Sequence, residues 1–221
     1  FKIPLGIIQS FFLLAKIEPH LVFSKGGYGA LPVVLCAKLF KIPIFIHESD
    51  VVPGRSNRIS SKWARKIYVS FPKTEYFDLA KTILVGNPIR SEILEGTEQQ
   101  AKDIFDISLE KPVLFFFGGS QGAEFINDFV LNSLNILLEE FEVVHVCGSA
   151  NFKQVQLEAQ ATIKKELEPY YHLSTFLDEE KLKHIYKVSD FIIARSGAGT
   201  IFEIAAIGAP SILVPLPDAA A

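Results

Sequence analysis

The sequence predicts an α/β fold of two Rossmann-like, doubly wound domains with a cleft between them. Short, continuously apolar runs alternate with segments of helical periodicity along the whole chain, a pattern typical of parallel sheets that helices cover on both faces. Glycine-bearing turns follow three of these apolar runs. The net charge also changes sign along the chain, which favours two domains with different partners.

Four apolar runs in the first half predict strands, and the segments between them predict helices. The strands are expected at 21–24, 44–47, 67–69 and 83–85, and the helices at 31–40 and 55–65. The apolar start, residues 3–15, predicts another helix, which is too short to span a bilayer because a span takes about 20 residues. Two interpretations of it stay open: a buried helix, or a helix that lays one face on a membrane surface.

The second half repeats the alternation of strands and helices. Strands are expected at 113–117, 143–146, 172–174, 191–194 and 211–214, and helices at 123–138, 153–167, 179–187 and 199–206. The chain contains no methionine and stops soon after the last strand. We therefore expect the natural protein to extend beyond both ends of this sequence.

The charge distribution places a domain boundary near residue 87. Residues 1–90 carry 13 Lys and Arg against 5 Asp and Glu, a balance of +8, whereas residues 91–221 carry 9 against 20, a balance of −11. The two balances sum to the net charge of −3. The change of sign falls at Gly86-Asn87-Pro88, so we predict domains at 1–87 and 88–221. A basic half suits an anionic surface or a phosphate-rich ligand.

The two cysteines, Cys36 and Cys147, each lie in an apolar run. Such positions are typical of buried, reduced thiols. Since no cysteine and histidine residues have the spacing of metal ligands, we expect no metal site.

The glycine-bearing turns lie at 26–30, 118–123 and 196–200. Glycine lets a ligand approach the backbone closely, and the helix after each turn directs free N–H groups and its positive dipole end at that ligand. A single turn of this kind is explained equally well by the need for glycine in a tight strand-to-helix connection. Two of them in the second half favour a nucleoside diphosphate.

Several polar residues near the predicted strand ends are candidates for binding or catalysis. Glu203 could accept hydrogen bonds from the two hydroxyls of a ribose, or could be favoured only by the positive end of its helix. Arg90 and Arg195 could pair with phosphate or have a structural role. His47 and Glu48 could act as general base and orienting carboxylate, or could be polar groups that bond neighbouring loops.

Six ordered segments together resemble the MurG family, the transferases that move N-acetylglucosamine from UDP-N-acetylglucosamine to undecaprenyl-diphosphoryl-muramyl-pentapeptide. The resemblance runs from about Lys2 to the last residues. The segments are Phe23-Ser24-Lys25-Gly26-Gly27-Tyr28, Ile46-His47-Glu48, Pro53-Gly54 with Asn57, Gly86-Asn87-Pro88-Ile89-Arg90, Gly118-Gly119-Ser120-Gln121-Gly122-Ala123 with Asn127, and Arg195-Ser196-Gly197-Ala198 with Glu203.

The resemblance implies a GT-B-type fold, with the acceptor on the first domain and the UDP-sugar mainly on the second. It implies that Glu203 binds the ribose and that the backbone of Leu177 contacts the uracil. Further donor contacts are implied for Arg90, Ser120, Ala198, Gly199 and Thr200. Additional polar positions at the cleft are implied for Tyr28, His47, Glu48, Asp50, Asn127 and Arg195.

The resemblance also implies the partners and the place of the enzyme. We expect no cofactor and no obligatory metal, no nucleic-acid partner, and two substrates: UDP-N-acetylglucosamine and the lipid-linked muramyl-pentapeptide. The apolar start and Leu39-Phe40-Lys41 correspond to a membrane-facing patch ringed by lysines, which suits an anionic membrane surface. The enzyme is then peripheral, on the cytoplasmic side of the bacterial inner membrane.

The chain departs from the family pattern at three places. Asp50 stands where the family usually has asparagine. The family's N-terminal glycine-rich loop, with the histidine usually proposed as base, is absent, which leaves His47 and Glu48 as the catalytic candidates in this chain. The glutamines that follow the final strand are also absent. Two alternatives stay open: another GT-B lipid glycosyltransferase, and a non-catalytic module that binds nucleotide-sugars.

Overall fold

The computed structural model describes residues 2–74, 76–118 and 123–216. The chain divides into two compact units, and the division in sequence falls between Asn87 and Pro88. No helix within the described ranges is both long enough and apolar enough to cross a bilayer.

The first unit contains a parallel sheet of four strands in the order β1-β2-β3-β4. Its helices and strands are α1 (Lys2–Ile17), β1 (Val22–Ser24), α2 (Ala30–Leu39), β2 (Ile44–Glu48), α3 (Arg55–Ser60), β3 (Lys66–Val69) and β4 (Thr82–Leu84). The core is formed by apolar side chains of α2, β2 and β3. The strand order of this unit does not reverse over the described residues, so its doubly wound character stays a prediction.

Helix α1 is not a buried helix over the described residues. Only Ser10 and Leu14 are buried, and Leu14 belongs to the core of the first unit. The helix packs on α2, where the Cys36 thiol donates to the Ile7 carbonyl (3.4 Å) and the rings of Phe11 and Phe40 lie 4.9 Å apart. Its exposed apolar side chains are Ile3, Leu5, Ile8, Phe11, Phe12, Leu13 and Ile17.

The second unit contains a parallel sheet of five strands in the order β7-β6-β5-β8-β9. Its elements are α4 (Glu98–Phe105), β5 (Val113–Phe117), α5 (Glu124–Glu140), β6 (Glu142–Val146), α6 (Phe152–Thr162), β7 (Tyr171–Ser174), α7 (Glu179–Val188), β8 (Phe191–Arg195), α8 (Ala198–Ile207) and β9 (Ser211–Val214). Within this sheet, the chain first forms the central strand β5, then adds β6 and β7 on one side, and finally adds β8 and β9 on the other side of β5. This doubly wound order, which confirms the prediction for this unit, creates a switch point between β5 and β8, the usual place of a ligand in such sheets.

Strand β5 lies at the centre of this unit and is apolar on both faces. Because successive side chains of a strand point to opposite faces, Phe115 and Phe116 enter different cores. Phe115 packs with Tyr186 of α7 and Ile192 of β8, and Phe116 packs against the buried face of α5. The continuous apolar run of β5 is therefore explained by helices on both sides of the sheet.

Two helical predictions need correction, and one helix was missed. The helix expected at 55–65 ends at Ser60 and continues as tight turns. The helix expected at 153–167 ends at Thr162, because the Asn135 amide bonds both the Thr162 carbonyl and the Lys164 N–H at that end (2.9 and 3.0 Å). Helix α4 is not predicted, although the Thr97 hydroxyl caps it by accepting from the Gln100 N–H, a recognisable start signal.

Apolar spacing alone does not identify the buried face of α5. Phe125 and Phe129 are exposed, and the side chains that enter the core are Ile126, Val130 and neighbours at the same spacing, Leu134 and Leu138. Aromatic residues on an exposed face cannot be told from core residues by spacing alone.

The prediction for the cysteines is confirmed, since Cys36 and Cys147 are both free and buried.

Candidate functional site

A cavity of about 520 Å³ opens in the second unit at the switch point of its sheet. This size falls within the range of small-molecule sites, about 300–1,000 Å³. One wall is the end of β5 at Phe117, and another is the first turn of α8, the helix that follows β8. The lining residues are Arg90, Phe117, Phe176, Leu177, Asp178, Glu179, Leu182, Gly199, Thr200 and Glu203.

The start of α8 presents open backbone to this cavity. The residue before the helix, Gly197, has extended backbone angles (φ −70°, ψ 143°) and no side chain that could cap the helix. A Cβ placed on Gly199 would meet no atom within 4 Å. Free N–H groups in the first turn, together with space above them, form a surface that suits an anion.

The loop before α7 forms the opposite wall. Leu177 lines the cavity although only 5% of its surface is exposed, because its side chain is anchored in the core. The next residue, Asp178, caps α7 by accepting a hydrogen bond from the Lys181 N–H (3.0 Å). These two anchors hold the backbone of this loop at the cavity wall.

Glu203 is held at both carboxylate oxygens. Oε1 accepts a hydrogen bond from Arg90 Nη2 at 2.9 Å, and Oε2 accepts one from the Tyr186 hydroxyl at 3.3 Å. The Glu203 side chain is 12% exposed. Arg90 in turn places Nη1 2.5 Å from Glu179 Oε1, so one guanidinium joins two carboxylates.

The electrostatic environment keeps both donors protonated. Partial burial lowers the pKa of Arg90, but hydrogen bonds to Glu179 and Glu203 outweigh that effect and leave the pKa raised. Burial raises the pKa of Tyr186, and the nearby Glu203 carboxylate raises it further. At neutral pH both groups therefore donate to Glu203. With Asp178 included, the cavity lining holds one cation and three carboxyl groups.

Five residues predicted from the sequence come together around this cavity: Arg90, Leu177, Gly199, Thr200 and Glu203. Ala198 is the first residue of α8. Ser120 lies outside the described residues.

Asn127 lies in the interior of the second unit and not at the surface of a cleft, which corrects the prediction. Only 2% of it is exposed. Its Nδ2 donates to the Cys147 carbonyl (3.1 Å), and its Oδ1 lies 2.9 Å from His145 Nε2. Both ends of the amide are therefore used to join α5 to β6.

Arg195 also has a structural contact. Its Nη1 donates to the Pro215 carbonyl at 3.0 Å, which ties the end of β8 to the segment that follows β9. The side chain does not belong to the cavity lining, so the structural interpretation of Arg195 accounts for its position.

His47 and Glu48 organise a loop in the first unit. Glu48 is buried, and its carboxylate accepts hydrogen bonds from the N–H groups of Asp50 and Gly54 in the following loop (3.0 and 3.3 Å) and from Asn57 Nδ2 in α3 (2.9 Å). Glu48 therefore holds this loop in place through hydrogen bonds.

His47 is 3% exposed, and its Nε2 lies 3.0 Å from the Gly86 carbonyl. Because a carbonyl only accepts, Nε2 carries the proton, and the basic Nδ1 is buried without a partner among the described atoms. Neither His47 nor Glu48 is accessible to a substrate in this structure. The structural interpretation of both residues accounts for their contacts better than a catalytic one.

Tyr28 and Asp50 lie in loops that follow strands of the first unit, and both are exposed. Partial shielding of the carboxyl group from water and the neighbouring Glu48 charge raise the pKa of Asp50. The loop that carries Tyr28 requires glycine at Gly26, which has φ +89° and would place a Cβ against the Asn57 amide. Asn57 therefore bonds the Glu48 carboxylate and also lies close to Gly26 in the loop that carries Tyr28.

Glu203, Arg90, Tyr186 and Glu179 form one cluster of hydrogen bonds and ion pairs. Sequence reasoning missed two of its side chains, Tyr186 and Glu179. Tyr186 lies four residues after Leu182, and this spacing is typical of a core position in a helix. Glu179 is indistinguishable in sequence from its neighbour Glu180. Only the packing of α7 on α8 shows which of these groups reaches Glu203 or Arg90.

Comparison with known proteins places the chain in a family. The glycosyltransferase family 28 N-terminal domain matches residues 1–69, and the glycosyltransferase family 28 C-terminal domain matches residues 113–221. The chain is 38% identical over 217 residues to a Clostridium kluyveri protein and 39% identical over 222 residues to a Treponema denticola protein. Each is named UDP-N-acetylglucosamine--N-acetylmuramyl-(pentapeptide) pyrophosphoryl-undecaprenol N-acetylglucosamine transferase. These alignments cover 98% of this chain but 59% and 56% of the two relatives, so the chain spans less than two thirds of their length.

Solved structures agree with the sequence matches. Acinetobacter baumannii MurG aligns over 99% of this chain and 59% of its own, with a TM-score of 0.72 and 27% identity. A UDP-GlcNAc 2-epimerase from Neisseria meningitidis, bound to UDP-GlcNAc, aligns over 94% of this chain and 62% of its own. At 18% identity and a TM-score of 0.68, it is similar in fold only. These neighbours confirm the GT-B-type fold class. The two domain matches and the relatives named above show that the chain belongs to the MurG family within glycosyltransferase family 28.

Proposed function

We propose that this chain carries the donor site and part of the acceptor domain of an inverting glycosyltransferase. The reaction moves N-acetylglucosamine from UDP-N-acetylglucosamine to undecaprenyl-diphosphoryl-muramyl-pentapeptide in peptidoglycan synthesis. One observation carries the proposal: at the switch point of a Rossmann-like sheet, the Glu203 carboxylate and the open start of α8 line the same cavity. The names of the MurG-type relatives supply the identity of donor and acceptor.

The charges at the cavity suggest how the nucleotide lies. Glu179 and Glu203 both contact Arg90, and Asp178 precedes Glu179. This part of the lining holds three carboxyl groups against one cation, so it suits the uncharged uridine better than the diphosphate. The diphosphate belongs at the start of α8, where Gly197 leaves the first turn uncapped and the helix dipole favours an anion. Ser120, Ala198, Gly199 and Thr200 are the proposed diphosphate contacts.

The nucleoside is then held between two walls of the cavity. The ribose diol donates hydrogen bonds to Glu203, and the uracil lies against the backbone at Leu177, whose loop is held on both sides. Arg90 keeps the Glu203 carboxylate oriented. Asp50, the donor-sugar contact proposed from the resemblance, and Tyr28, a further substrate-binding candidate, belong to the first unit, and both side chains are exposed.

The chemistry proposed is a single displacement at the anomeric carbon. The 4-hydroxyl of the muramyl sugar attacks that carbon, its proton passes to a base, and the bond to UDP breaks with inversion. Negative charge that develops on the leaving diphosphate is stabilised by the N–H groups at the start of α8. This arrangement requires no obligatory metal, and we propose that the enzyme uses none. Because His47 and Glu48 are buried in structural roles, we assign the base to neither of them.

The acceptor is a lipid, and the surface of α1 fits contact with a membrane. The helix exposes a row of apolar side chains that includes Phe12 and Leu13, and Leu39 and Phe40 at the end of α2 are exposed as well. Lys16, Lys38 and Lys41 are exposed on the same two helices and their ends. Interfacial binding takes apolar area and basic charge together, so we propose a peripheral contact with the anionic cytoplasmic face of the bacterial inner membrane.

The test is donor binding followed by transfer in the full-length protein. The E203A variant is expected to bind UDP at least about 10-fold more weakly, because hydrogen bonds to a charged group contribute roughly 1.5–3 kcal/mol. E166A, which changes an exposed glutamate in the same unit, serves as the control. Unchanged UDP affinity in E203A would contradict the proposed site.

Acceptor assays separate the alternatives. Transfer to lipid-linked muramyl-pentapeptide but not to diacylglycerol supports the proposed reaction, and the reverse preference indicates another lipid glycosyltransferase. Tight UDP-sugar binding without transfer to either acceptor would indicate a non-catalytic module.

A further inference from the structure

Tyr186 lies behind the Glu203 carboxylate and not in the wall of the cavity. It is 2% exposed, in the core of the second unit, and its ring packs edge-on against Phe115, with centroids 5.8 Å apart and planes at 77°. Its hydroxyl reaches Glu203 Oε2 at 3.3 Å. Because the ring is fixed in the core, the direction from which the hydroxyl approaches the carboxylate is fixed too.

The hydroxyl of Tyr186 can only donate in this contact. An ionised carboxylate is an acceptor without protons, and the pKa of Tyr186 is raised first by burial and then by the Glu203 charge. The phenol therefore keeps its proton at neutral pH. Arg90 Nη2 donates to the other oxygen, Oε1, at 2.9 Å.

These two donors leave the carboxylate with a defined pair of free acceptor positions. Each carboxylate oxygen accepts about two hydrogen bonds, and Tyr186 and Arg90 each occupy one position, on different oxygens. Counting the donors among the described residues, one position remains on Oε1 and one on Oε2. Two acceptors on adjacent oxygens match two hydroxyl groups on adjacent carbons, which is the geometry of a ribose 2′,3′-diol.

We propose that Tyr186 is a positioning residue that, together with Arg90, orients Glu203 toward both hydroxyls of a ribose and so sets the preference for a ribonucleotide over a 2′-deoxyribonucleotide. This inference rests on the proposed function, in which Glu203 binds the ribose of the UDP donor. It adds a residue that does not touch the substrate and a selectivity that the carboxylate alone would not provide. A carboxylate held at one oxygen could rotate and accept from a single hydroxyl of either sugar.

The experiment compares the affinities of UDP and 2′-deoxy-UDP, measured by titration calorimetry with the full-length protein. The Y186F variant removes only the hydroxyl and keeps the ring that packs on Phe115. Y171F is the matched control, because Tyr171 is also mostly buried and its hydroxyl also bonds one side chain, His145 Nδ1 at 2.9 Å. Tyr171 does not line the cavity.

We expect wild type to bind UDP about 10-fold or more tightly than 2′-deoxy-UDP, as a hydrogen bond to a carboxylate implies. In Y186F the affinity for UDP falls about fivefold while that for 2′-deoxy-UDP falls less than about twofold, so the preference shrinks. Y171F keeps the wild-type preference. A Y186F variant that keeps the full preference, or a Y171F variant that loses it equally, overturns the proposal.

A double-mutant cycle with E203A separates positioning from a general effect on the fold. If Tyr186 acts through Glu203, adding Y186F to E203A leaves the UDP affinity unchanged. An additional loss of about fivefold in the E203A background would show that the tyrosine acts by another route. The failure of the proposed function looks different: wild type then binds neither UDP nor 2′-deoxy-UDP, and both ideas are lost together.

Discussion

Arg90 lies between two carboxylates, with Nη1 2.5 Å from Glu179 Oε1 and Nη2 2.9 Å from Glu203 Oε1. The two contacts differ in their surroundings, since the Glu203 side chain is 12% exposed and the Glu179 side chain is 68% exposed. Solvent weakens the outer ion pair. Glu179 therefore adds negative charge at the mouth of the cavity while contributing little to the stability of the fold.

Replacing Glu179 by glutamine is expected to strengthen UDP binding. The change removes a negative charge that repels the diphosphate and frees one side of Arg90, and an exposed pair of this kind is worth about 0.2–1 kcal/mol, or roughly 1.4- to 5-fold in affinity. E180Q is the matched control. Glu180 also lies in the first turn of α7, but it pairs with Lys183 (2.7 Å) and does not line the cavity. Calorimetry at low and high salt measures the difference. Weaker binding by E179Q than by E180Q would mean that Glu179 helps to hold Arg90 in place.

Stability is expected to depend on pH through His145. Burial lowers the pKa of His145 from 6.5 to about 3, so the folded protein keeps it neutral while the unfolded chain binds a proton below 6.5. Stability is therefore lost as the pH falls from about 6.5 towards 3, by about 1.4 kcal/mol per pH unit. Urea unfolding at pH 7, 6 and 5 gives the unfolding free energy as a function of pH. For H145Q, we expect this free energy to fall less per pH unit than for wild type, by up to the same amount.

The control for this measurement is H20Q, which changes an exposed histidine of the first unit. Its unfolding free energy should follow the wild-type pH dependence. A wild-type slope that survives in H145Q would assign the pH dependence to other groups.

Replacement of Gly96 by alanine is expected to destabilise the second unit by about 2–4 kcal/mol, in the range of overpacking and backbone displacement. Gly96 has φ −62° and ψ 146°, which any residue can adopt, so the effect is steric. A Cβ at this position would overlap the backbone carbonyl of Lys183 on α7. The matched change is G29A, where a Cβ would meet no atom within 4 Å and the unfolding free energy should fall by less than about 1 kcal/mol. Equal effects of the two changes in denaturant unfolding would remove the steric explanation.

Loss of the Asn57 amide is expected to weaken the first unit by about 1–3 kcal/mol, because two buried acceptors each lose a hydrogen bond. Asn57 Nδ2 donates to both the His47 carbonyl and Glu48 Oε2. N135A provides the comparison, since Asn135 also makes two hydrogen bonds but in an exposed setting. Denaturant unfolding should show the larger loss for N57A, and a smaller loss than for N135A would indicate that water replaces the amide.

Much of the fold could be predicted because its strands are unusually easy to recognise. The run Val113–Phe117 has no polar residue and is bracketed by turn residues, and the order of sheet and helix follows from the alternation. The helix ends were harder to predict because they depend on tertiary contacts. The end of α6, for example, is determined by Asn135 from another helix.

The candidate site was predictable where its residues belong to recognisable segments, as with Glu203 and the start of α8. Sequence segments were less informative about the other polar residues. Asn127 is buried and bonds the Cys147 carbonyl, and Arg195 bonds the Pro215 carbonyl, which is the structural alternative that the sequence left open. Spacing indicates which residues lie at a strand end but carries no information about whether a side chain faces solvent.

The two groups that hold Glu203 come from stretches far apart in sequence, at positions 90 and 186. A mutation at position 90, 186 or 203 changes how much the side chains at the other two positions contribute to binding. Homologous sequences should therefore show covariation among them, and a relative in which an apolar residue replaces the glutamate should also have lost the selection for an arginine and a tyrosine at the other positions.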